Sequence, residues 1–155
     1  MRALGIDYGA RRIGLALSDA TGMLARPWKT IARVGNPSQV ARTIAIEVQS
    51  LAEGDEAVSV IVLGFPRRLN GAPGEQTATV QAVASHLRRL LVTPLVLQDE
   101  RLSSDEAERL LAKREPDWRK RKSQLDAMAA AVILQDYLDA RHDGRADTIR
   151  EDRNE

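Results

Sequence analysis

The sequence predicts an α/β domain in which a five-stranded mixed β-sheet is flanked by helices. Two observations support this fold class. Three short strand-like segments stand at the start of the chain, and later apolar strands alternate with helical patterns. Strands joined by short links pair antiparallel, whereas strands separated by helices pair parallel. The predicted element order is therefore β-β-β-α-β-α-β-α-α, with both kinds of pairing in one sheet.

The first three strands are expected to form an antiparallel meander. Residues 2–7 form the first strand, and residues 12–18 form the second, in which apolar side chains alternate with small or polar ones. The short polar link at residues 9–11 suits a hairpin between them. Residues 24–33 supply the third strand.

The rest of the chain alternates helices with strands. Asn36 is a favoured N-cap and Pro37 a favoured first helical residue, so the first helix is expected to start there and to end at Gly54-Asp55. A capping box formed by Ser103 and Glu106 opens the third helix. The other expected elements are a strand at 58–63, a helix with Val80, Val83, Leu87 and Leu90 on one face, a strand at 94–98, and a last helix from about Ser123 to Asp139.

The composition excludes several kinds of site. The 155 residues are expected to form one domain at 1–140, followed by a flexible tail at 141–155. The absence of cysteine excludes disulfides, thiolate zinc sites and a cysteine nucleophile, and the two histidines are far apart in sequence. Because no secretory signal or membrane-length apolar run is present, we expect a cytoplasmic protein with no membrane partner.

Basic residues cluster in one segment although the net charge is only +1. Between residues 113 and 122 the chain is rich in lysine and arginine, with Arg119, Lys120, Arg121 and Lys122 adjacent. We expect this segment to be a mobile loop that contacts phosphates, because a local basic patch attracts nucleic acid whatever the overall charge. A solvated connection between two helices is the alternative. Two Trp, two Tyr and one Phe are too few for a surface that stacks bases.

Three carboxylates occupy positions that suit a metal site. Asp7 ends the first strand, Glu100 follows the last strand, and Asp126 lies in the first turn of the predicted final helix. Because sites in open α/β sheets collect at the carboxyl ends of strands, Asp7 and Glu100 should share one edge, which Asp126 approaches from the packed helix. Such oxygen ligands suit Mg²⁺ or Mn²⁺, and ions held there can promote hydrolysis of a phosphodiester.

Each of these carboxylates also has a purely structural interpretation. Asp7 precedes a turn and can accept backbone hydrogen bonds there. Glu100 can form a surface ion pair with Arg101. Asp126 follows Ser123 by three residues and can complement the N-terminus of the helix. The metal-site hypothesis rests on the three positions together, since any one of them is explained without it.

Four motifs, in order from residue 3 to about residue 138, resemble those of the YqgF (RuvX) family. They are Gly5-Ile6-Asp7-Tyr8-Gly9 with Arg12-Ile13-Gly14-Leu15-Ala16 and Ser18-Asp19; Val62-Leu63-Gly64-Phe65-Pro66 with Asn70-Gly71; Asp99-Glu100-Arg101-Leu102-Ser103-Ser104 with Ala107; and Lys122 and Asp126 with Ala129-Ala130 and Val132-Ile133-Leu134. The resemblance implies a ribonuclease H-like fold and a metal-dependent nuclease. It implies catalytic, metal-ligand roles for Asp7, Glu100 and Asp126, and nucleic-acid contacts for Arg12, Arg101 and Lys122.

The resemblance leaves the substrate open. Processing of the 5′ end of pre-16S rRNA is favoured over resolution of Holliday junctions, because one compact basic segment suits a single strand better than two crossing duplexes. Ala129 stands where junction resolvases of the RuvC type often carry a fourth carboxylate, so one or two metal ions remain possible, as do a monomer and a homodimer. An inactive nucleic-acid-binding protein is the alternative of another class. A nucleotide-binding ATPase of the actin type is disfavoured, because its two lobes need a longer chain.

Overall fold

A computed structural model describes residues 1–65, 75–99, 107, 109–110, 112–113 and 115–143. Five strands and three helices carry the fold over these residues. The strands are β1 (Ala3–Tyr8), β2 (Arg12–Ser18), β3 (Ala25–Ala32), β4 (Val60–Phe65) and β5 (Leu95–Asp99), and the helices are α1 (Pro37–Glu53), α2 (Glu75–Leu90) and α3 (Trp118–His142). Residues 107, 109–110 and 112–113 are also helical.

The five strands form one mixed sheet in the order β3-β2-β1-β4-β5. The pairs β1–β2 and β2–β3 are antiparallel, whereas β1–β4 and β4–β5 are parallel. The tight link between β1 and β2 is closed by a hydrogen bond of 3.0 Å from the Gly9 N–H to the Arg12 carbonyl. The predicted fold class is confirmed, and the carboxyl ends of β1, β4 and β5 lie at one edge of the sheet.

Local signals set the limits of α1 as the sequence predicts. The Asn36 side chain accepts a hydrogen bond of 3.0 Å from the Gln39 N–H, and the Gln39 side chain accepts one of 2.8 Å from the Asn36 N–H. This reciprocal capping box satisfies two donors that the first turn of a helix leaves free. Pro37 follows as the first helical residue, and Gly54 is the C-cap.

Helices cover both faces of the sheet, and the sheet divides the core into two clusters. One cluster joins α1 and α2 to the apolar side chains of β1, β2, β4 and β5. The other lies under α3, where a run of small and aliphatic residues packs against Ala3, Ala16, Val60 and Val62 of the sheet. Small side chains on both partners let α3 approach the sheet closely.

Three details differ from the sequence prediction. The last helix begins at Trp118 and not near Ser123, so Asp126 lies well inside it and does not complement its N-terminus. Pro116 and Asp117 precede Trp118, and Asp is as good an N-cap as Ser, so the sequence carried two competing start signals. Residues 118–122, predicted as part of a mobile loop, are consequently helical. Leu90, predicted on the buried face of α2, is 45% exposed. Among the described residues, no helix is both long and apolar enough to cross a membrane.

Candidate active site

Alternation along β1 places Asp7 on the face of the sheet that α3 covers. Even-numbered residues of β1 enter the core under α1 and α2, whereas Ala3 packs with α3. At Gly5, a Cβ atom would lie only 2.7 Å from the Cβ of Leu134 on α3. Because side chains alternate between the two faces of a strand, Asp7 lies on the same side as Ala3 and Gly5. Its carboxylate therefore belongs to the α3 side of the sheet edge.

Gly14 brings α3 into main-chain contact with the sheet beside Asp7. Gly14 is the register partner of Asp7 on the neighbouring strand β2. A Cβ atom on Gly14 would overlap the main-chain carbonyl group of Asp126. Directly opposed residues of antiparallel strands project to the same face, so the glycine leaves the space that the helix backbone occupies. The structure thus places the main chain of Asp126 over Gly14, the residue opposite Asp7, so that two of the three predicted carboxylates belong to adjoining positions.

The Asp126 carboxylate lies over the β1–β2 turn and pairs with Arg12. Its Oδ1 atom is 3.4 Å from the position of a Cβ atom on Gly9, and its Oδ2 atom is 3.2 Å from Arg12 Nε. The Arg12 side chain is 46% exposed and that of Asp126 is 24% exposed. A partly exposed ion pair contributes only about 0–1 kcal/mol to stability, and solvent reaches both of its groups.

Arg33 holds the turn that separates Asp7 from Arg12. Its Nη1 atom donates hydrogen bonds to the carbonyls of Gly9 at 3.0 Å and of Ala10 at 3.5 Å. Its guanidinium group lies 4.3 Å from the ring centre of Tyr8. Arg33 was not among the residues predicted from the sequence, because its contact with the turn depends on how β3 pairs with β2 and leaves no local signal.

With this geometry established, comparison with known proteins decides the family. The family model described as "RuvX: Holliday junction resolvase" matches residues 1–140. The chain belongs to the RuvX family. Family membership makes it a nuclease, a hydrolase of phosphodiester bonds, as the four sequence motifs implied.

Curated RuvX relatives match over nearly their whole length. A protein of Roseiflexus sp. (strain RS-1) is 37% identical over 139 residues, which cover 90% of this chain and 94% of the relative. A protein of Geobacillus kaustophilus is 39% identical over 145 residues, which cover 91% of this chain and 99% of the relative. Both carry the provisional name pre-16S rRNA nuclease.

Solved structures agree on the fold of the RuvX chain. The RuvC structure from Thermus thermophilus superposes with a TM-score of 0.54 at 14% identity, covering 92% of this chain and 97% of that chain. A complex of T. thermophilus RuvC with a Holliday junction gives a TM-score of 0.51 at 17% identity and covers 92% and 96% of the two chains. At these identities the likeness shows the fold alone, and it confirms the predicted ribonuclease H-like class.

The third predicted carboxylate of the RuvX chain is not described. Strand β5 ends at Asp99, whose register partner is Phe65 at the end of β4. Glu100 and Arg101 follow directly and lie outside the described residues. Over the parts of the chain that the structure covers, no group of three or more His, Asp or Glu side chains is placed to hold a metal ion. Glu100 as the third ligand therefore stays a prediction.

The predicted phosphate-binding residues of the basic segment begin helix α3. Arg119, Arg121 and Lys122 are described by their backbone, which is helical, and Lys120 is exposed. The first turn of α3 contains no acidic residue. The N-terminus of a helix carries partial positive charge, so basic side chains there oppose the helix dipole. Basic residues in this turn are therefore unfavourable for the helix.

Asp19, part of the first RuvX motif, stabilises a turn at the opposite edge of the sheet. The Thr21 hydroxyl donates a hydrogen bond of 2.5 Å to Asp19 Oδ2, and the N–H groups of Leu24 and Met23 donate to Oδ1 at 3.1 and 2.9 Å. Together these bonds, the one from Thr21 most strongly, lower the pKa of Asp19 from 3.8 to about 2. The role of Asp19 is consequently structural.

Proposed function

We propose that this RuvX-family nuclease processes the 5′ end of pre-16S rRNA in the cytoplasm with a divalent cation, Mg²⁺ or Mn²⁺. Asp7, Glu100 and Asp126 hold the cation, and residues 1–140 form the catalytic domain, with 141–155 as its tail. Nucleic acid is bound by the basic residues near these carboxylates and at the start of α3. They are Arg12, Arg101, Arg119, Lys120, Arg121 and Lys122.

The observation that carries the proposal is the main-chain contact of Asp126 with Gly14, the register partner of Asp7. Two carboxylates on one face of a sheet edge repel each other, and Arg12 compensates only the charge of Asp126 to which it is paired. A bound cation reverses that repulsion. The donor set also fits the ion, since carboxylate oxygens are the hard ligands that Mg²⁺ and Mn²⁺ prefer.

The chemistry divides between the cation and the protein. When bound, Mg²⁺ or Mn²⁺ supplies the positive charge that activates water and stabilises the leaving oxygen of a phosphodiester. Asp7 is positioned by β1 and Asp126 by α3, and α3 is packed closely on β1 at Gly5 and on β2 at Gly14. The basic side chains bind the phosphate backbone, which positions the strand without selecting a base sequence.

Pre-16S rRNA is favoured over a Holliday junction as the substrate. The relatives of 37–39% identity carry the rRNA nuclease name, whereas the likeness to RuvC concerns the fold. The basic residues at the start of α3 are confined to one helix end, which suits one strand. The family description names junction resolution, so that activity is the second candidate.

A competition assay tests the proposal. Equal amounts of labelled pre-16S rRNA fragment and labelled four-way DNA junction are offered to limiting protein with Mn²⁺ or Mg²⁺. We expect cleavage near the mature 5′ end of the RNA and slower attack on the junction. EDTA should abolish both reactions, and the Asp7→Asn variant should be inactive.

Three other results contradict the proposal in different ways. Paired symmetric incisions in the junction, faster than any cut in the RNA, assign the chain to recombination and imply a working homodimer. Binding of RNA without cleavage under any metal condition assigns it to the inactive binding class. Full activity in EDTA removes the metal from the mechanism.

A further inference from the structure

Arg12 and Asp126 form an ion pair, although each is proposed to bind a different ligand, a phosphate group and a divalent cation respectively. Asp126 is a proposed cation ligand, and Arg12 is a proposed phosphate-binding residue. In the structure they bind each other, at 3.2 Å between Arg12 Nε and Asp126 Oδ2. As long as they remain paired, each is the counter-ion of the other and is less available to its ligand.

The main chain of Arg12 is fixed in the sheet and the β1–β2 turn, whereas its side chain can change partner. Arg12 is the first residue of β2 and the register partner of Ala32 on β3. Its carbonyl accepts the hydrogen bond from Gly9 that closes the β1–β2 turn, at 3.0 Å. The long side chain is nevertheless 46% exposed. Rotation of its side-chain bonds is therefore enough to move the guanidinium group, while the turn stays in place.

We propose that Arg12 exchanges Asp126 for a phosphate group of the nucleic acid when a divalent cation binds the carboxylates. This inference rests on the proposed function, because it needs both the cation and the nucleic acid. Without the cation, Asp126 retains the guanidinium group. With the cation bound, the negative charge of Asp126 is compensated, and Arg12 is repelled from the site towards the phosphate backbone.

The energetics of the exchange favour the phosphate. The Arg12 side chain is 46% exposed and that of Asp126 is 24% exposed, so water screens the pair in part and separating it costs little. Guanidinium groups bind phosphate oxygens through two parallel hydrogen bonds, and the 3.2 Å contact with Asp126 is made through Nε. The cation and the nucleic acid should therefore strengthen each other's binding, because coupling between two ligands is reciprocal.

A double-mutant cycle without metal isolates the step in which Asp126 retains Arg12. The affinity of a labelled single-stranded pre-16S rRNA fragment is measured against salt in EDTA for wild type, Arg12→Ala, Asp126→Asn and the double variant. Each phosphate contact to a single strand contributes a slope of about 0.7 in the log–log plot. We expect Arg12→Ala to leave the wild-type slope unchanged but to reduce the slope of Asp126→Asn by about 0.7.

A second experiment adds Ca²⁺ to proteins that retain Asp126. Ca²⁺ is chosen as a cation that binds the carboxylates without supporting cleavage. Addition of Ca²⁺ to wild type should steepen the slope by about 0.7 more than addition to Arg12→Ala. Arg11→Ala is the matched control, since Arg11 is the exposed arginine next in the chain. Its effect should be the same with and without Ca²⁺. Circular dichroism verifies that every variant is folded.

The outcomes separate this inference from the proposed function. The proposed exchange is wrong if Arg12→Ala reduces the salt slope of RNA binding equally in wild type, in Asp126→Asn and with Ca²⁺, or reduces it in none of them. If wild type also binds Mn²⁺ and cleaves the RNA, the proposed function stands without it. If titration detects no Mn²⁺ binding and no cleavage occurs, both fail.

Discussion

Gly14 on β2 and Asp126 on α3 meet through their main chains, with no room for a Cβ atom between them. Because Gly14 is also the register partner of Asp7, this contact sets the height of the α3 backbone above the strand end that carries Asp7. The packing of α3 on the sheet and the proposed metal site therefore both depend on the absence of a Cβ atom at Gly14.

Replacing Gly14 by Ala should harm stability and activity together. The added Cβ atom would overlap the Asp126 carbonyl, so α3 must shift away from the sheet. Overpacking of this kind costs about 1–3 kcal/mol in the free energy of unfolding. Denaturant titration and RNA cleavage measure the two effects. Gly54→Ala is the matched control, because a Cβ atom there would meet its nearest neighbour at 3.7 Å, and its effect should stay within about 0.5 kcal/mol.

Asp7→Asn should abolish cleavage and preserve the fold. The substitution keeps the shape of the side chain but removes the charge that holds a cation. RNA binding in EDTA should persist or strengthen, because the variant lacks one group that repels phosphate. Asp55→Asn is the control: Asp55 has a φ of 63°, which Asn also tolerates, and it precedes β4 at the opposite edge of the sheet. Cleavage by Asp7→Asn at the wild-type rate would remove Asp7 from the site.

Arg33→Lys should lower kcat more than it weakens RNA binding. Lysine keeps the charge but does not reproduce the planar group that contacts the Tyr8 ring and the Gly9 carbonyl. Without these interactions the protein should be about 1–2 kcal/mol less stable, and the turn between Asp7 and Arg12 should loosen. Single-turnover cleavage and RNA affinity provide the two readouts. An equal loss in both would make Arg33 a direct ligand of the RNA.

Replacing Arg119, Lys120 and Arg121 by alanine should weaken RNA binding without lowering the stability of the fold. RNA binding should weaken, and its salt slope should fall by about 0.7–0.9 for each phosphate that the protein no longer neutralises. Stability should remain the same or rise by about 0.3–1 kcal/mol, because basic side chains at a helix N-terminus oppose the dipole. Salt titration and thermal unfolding test the two statements. An unchanged slope would show that this segment is a solvated connection that does not contact phosphates.

The turn at Asp19 should contribute to stability at neutral pH and lose its contribution in acid. The folded pKa of about 2 is lower than the unfolded value of 3.8, so the contribution is complete above pH 3.8 and declines as the pH falls towards 2. The stability difference between wild type and Asp19→Asn should shrink over that interval. Thr21→Val removes the largest cause of the shift, so NMR titration should show the pKa of Asp19 rising towards 3.8. An unmoved pKa would assign the shift to the backbone donors.

Local patterns in the sequence were sufficient for the order and type of the described elements. Alternating apolar residues predicted β2, and Asn36, Pro37 and Gly54 predicted both ends of α1, because caps and strand periodicity depend on neighbours within a few residues. The start of α3 was predicted wrongly for the same reason. Ser123 and Asp117 offer equivalent local caps, and nothing within a few residues of either decides between them.

The sequence by itself also determined which chemistry is available, since it contains no cysteine, few histidines, and carboxylates near predicted strand ends and on the last helix. Only the tertiary structure decided which of these groups meet. The pairing of Arg12 with Asp126 and the contact of Arg33 with Tyr8 join residues from different elements. Their geometry depends on strand register and on the depth to which α3 settles at Gly5 and Gly14. Such contacts are long-range, and the free energy that selects them comes from burying the apolar faces of α1, α2 and α3 against the sheet, which no short stretch of sequence encodes.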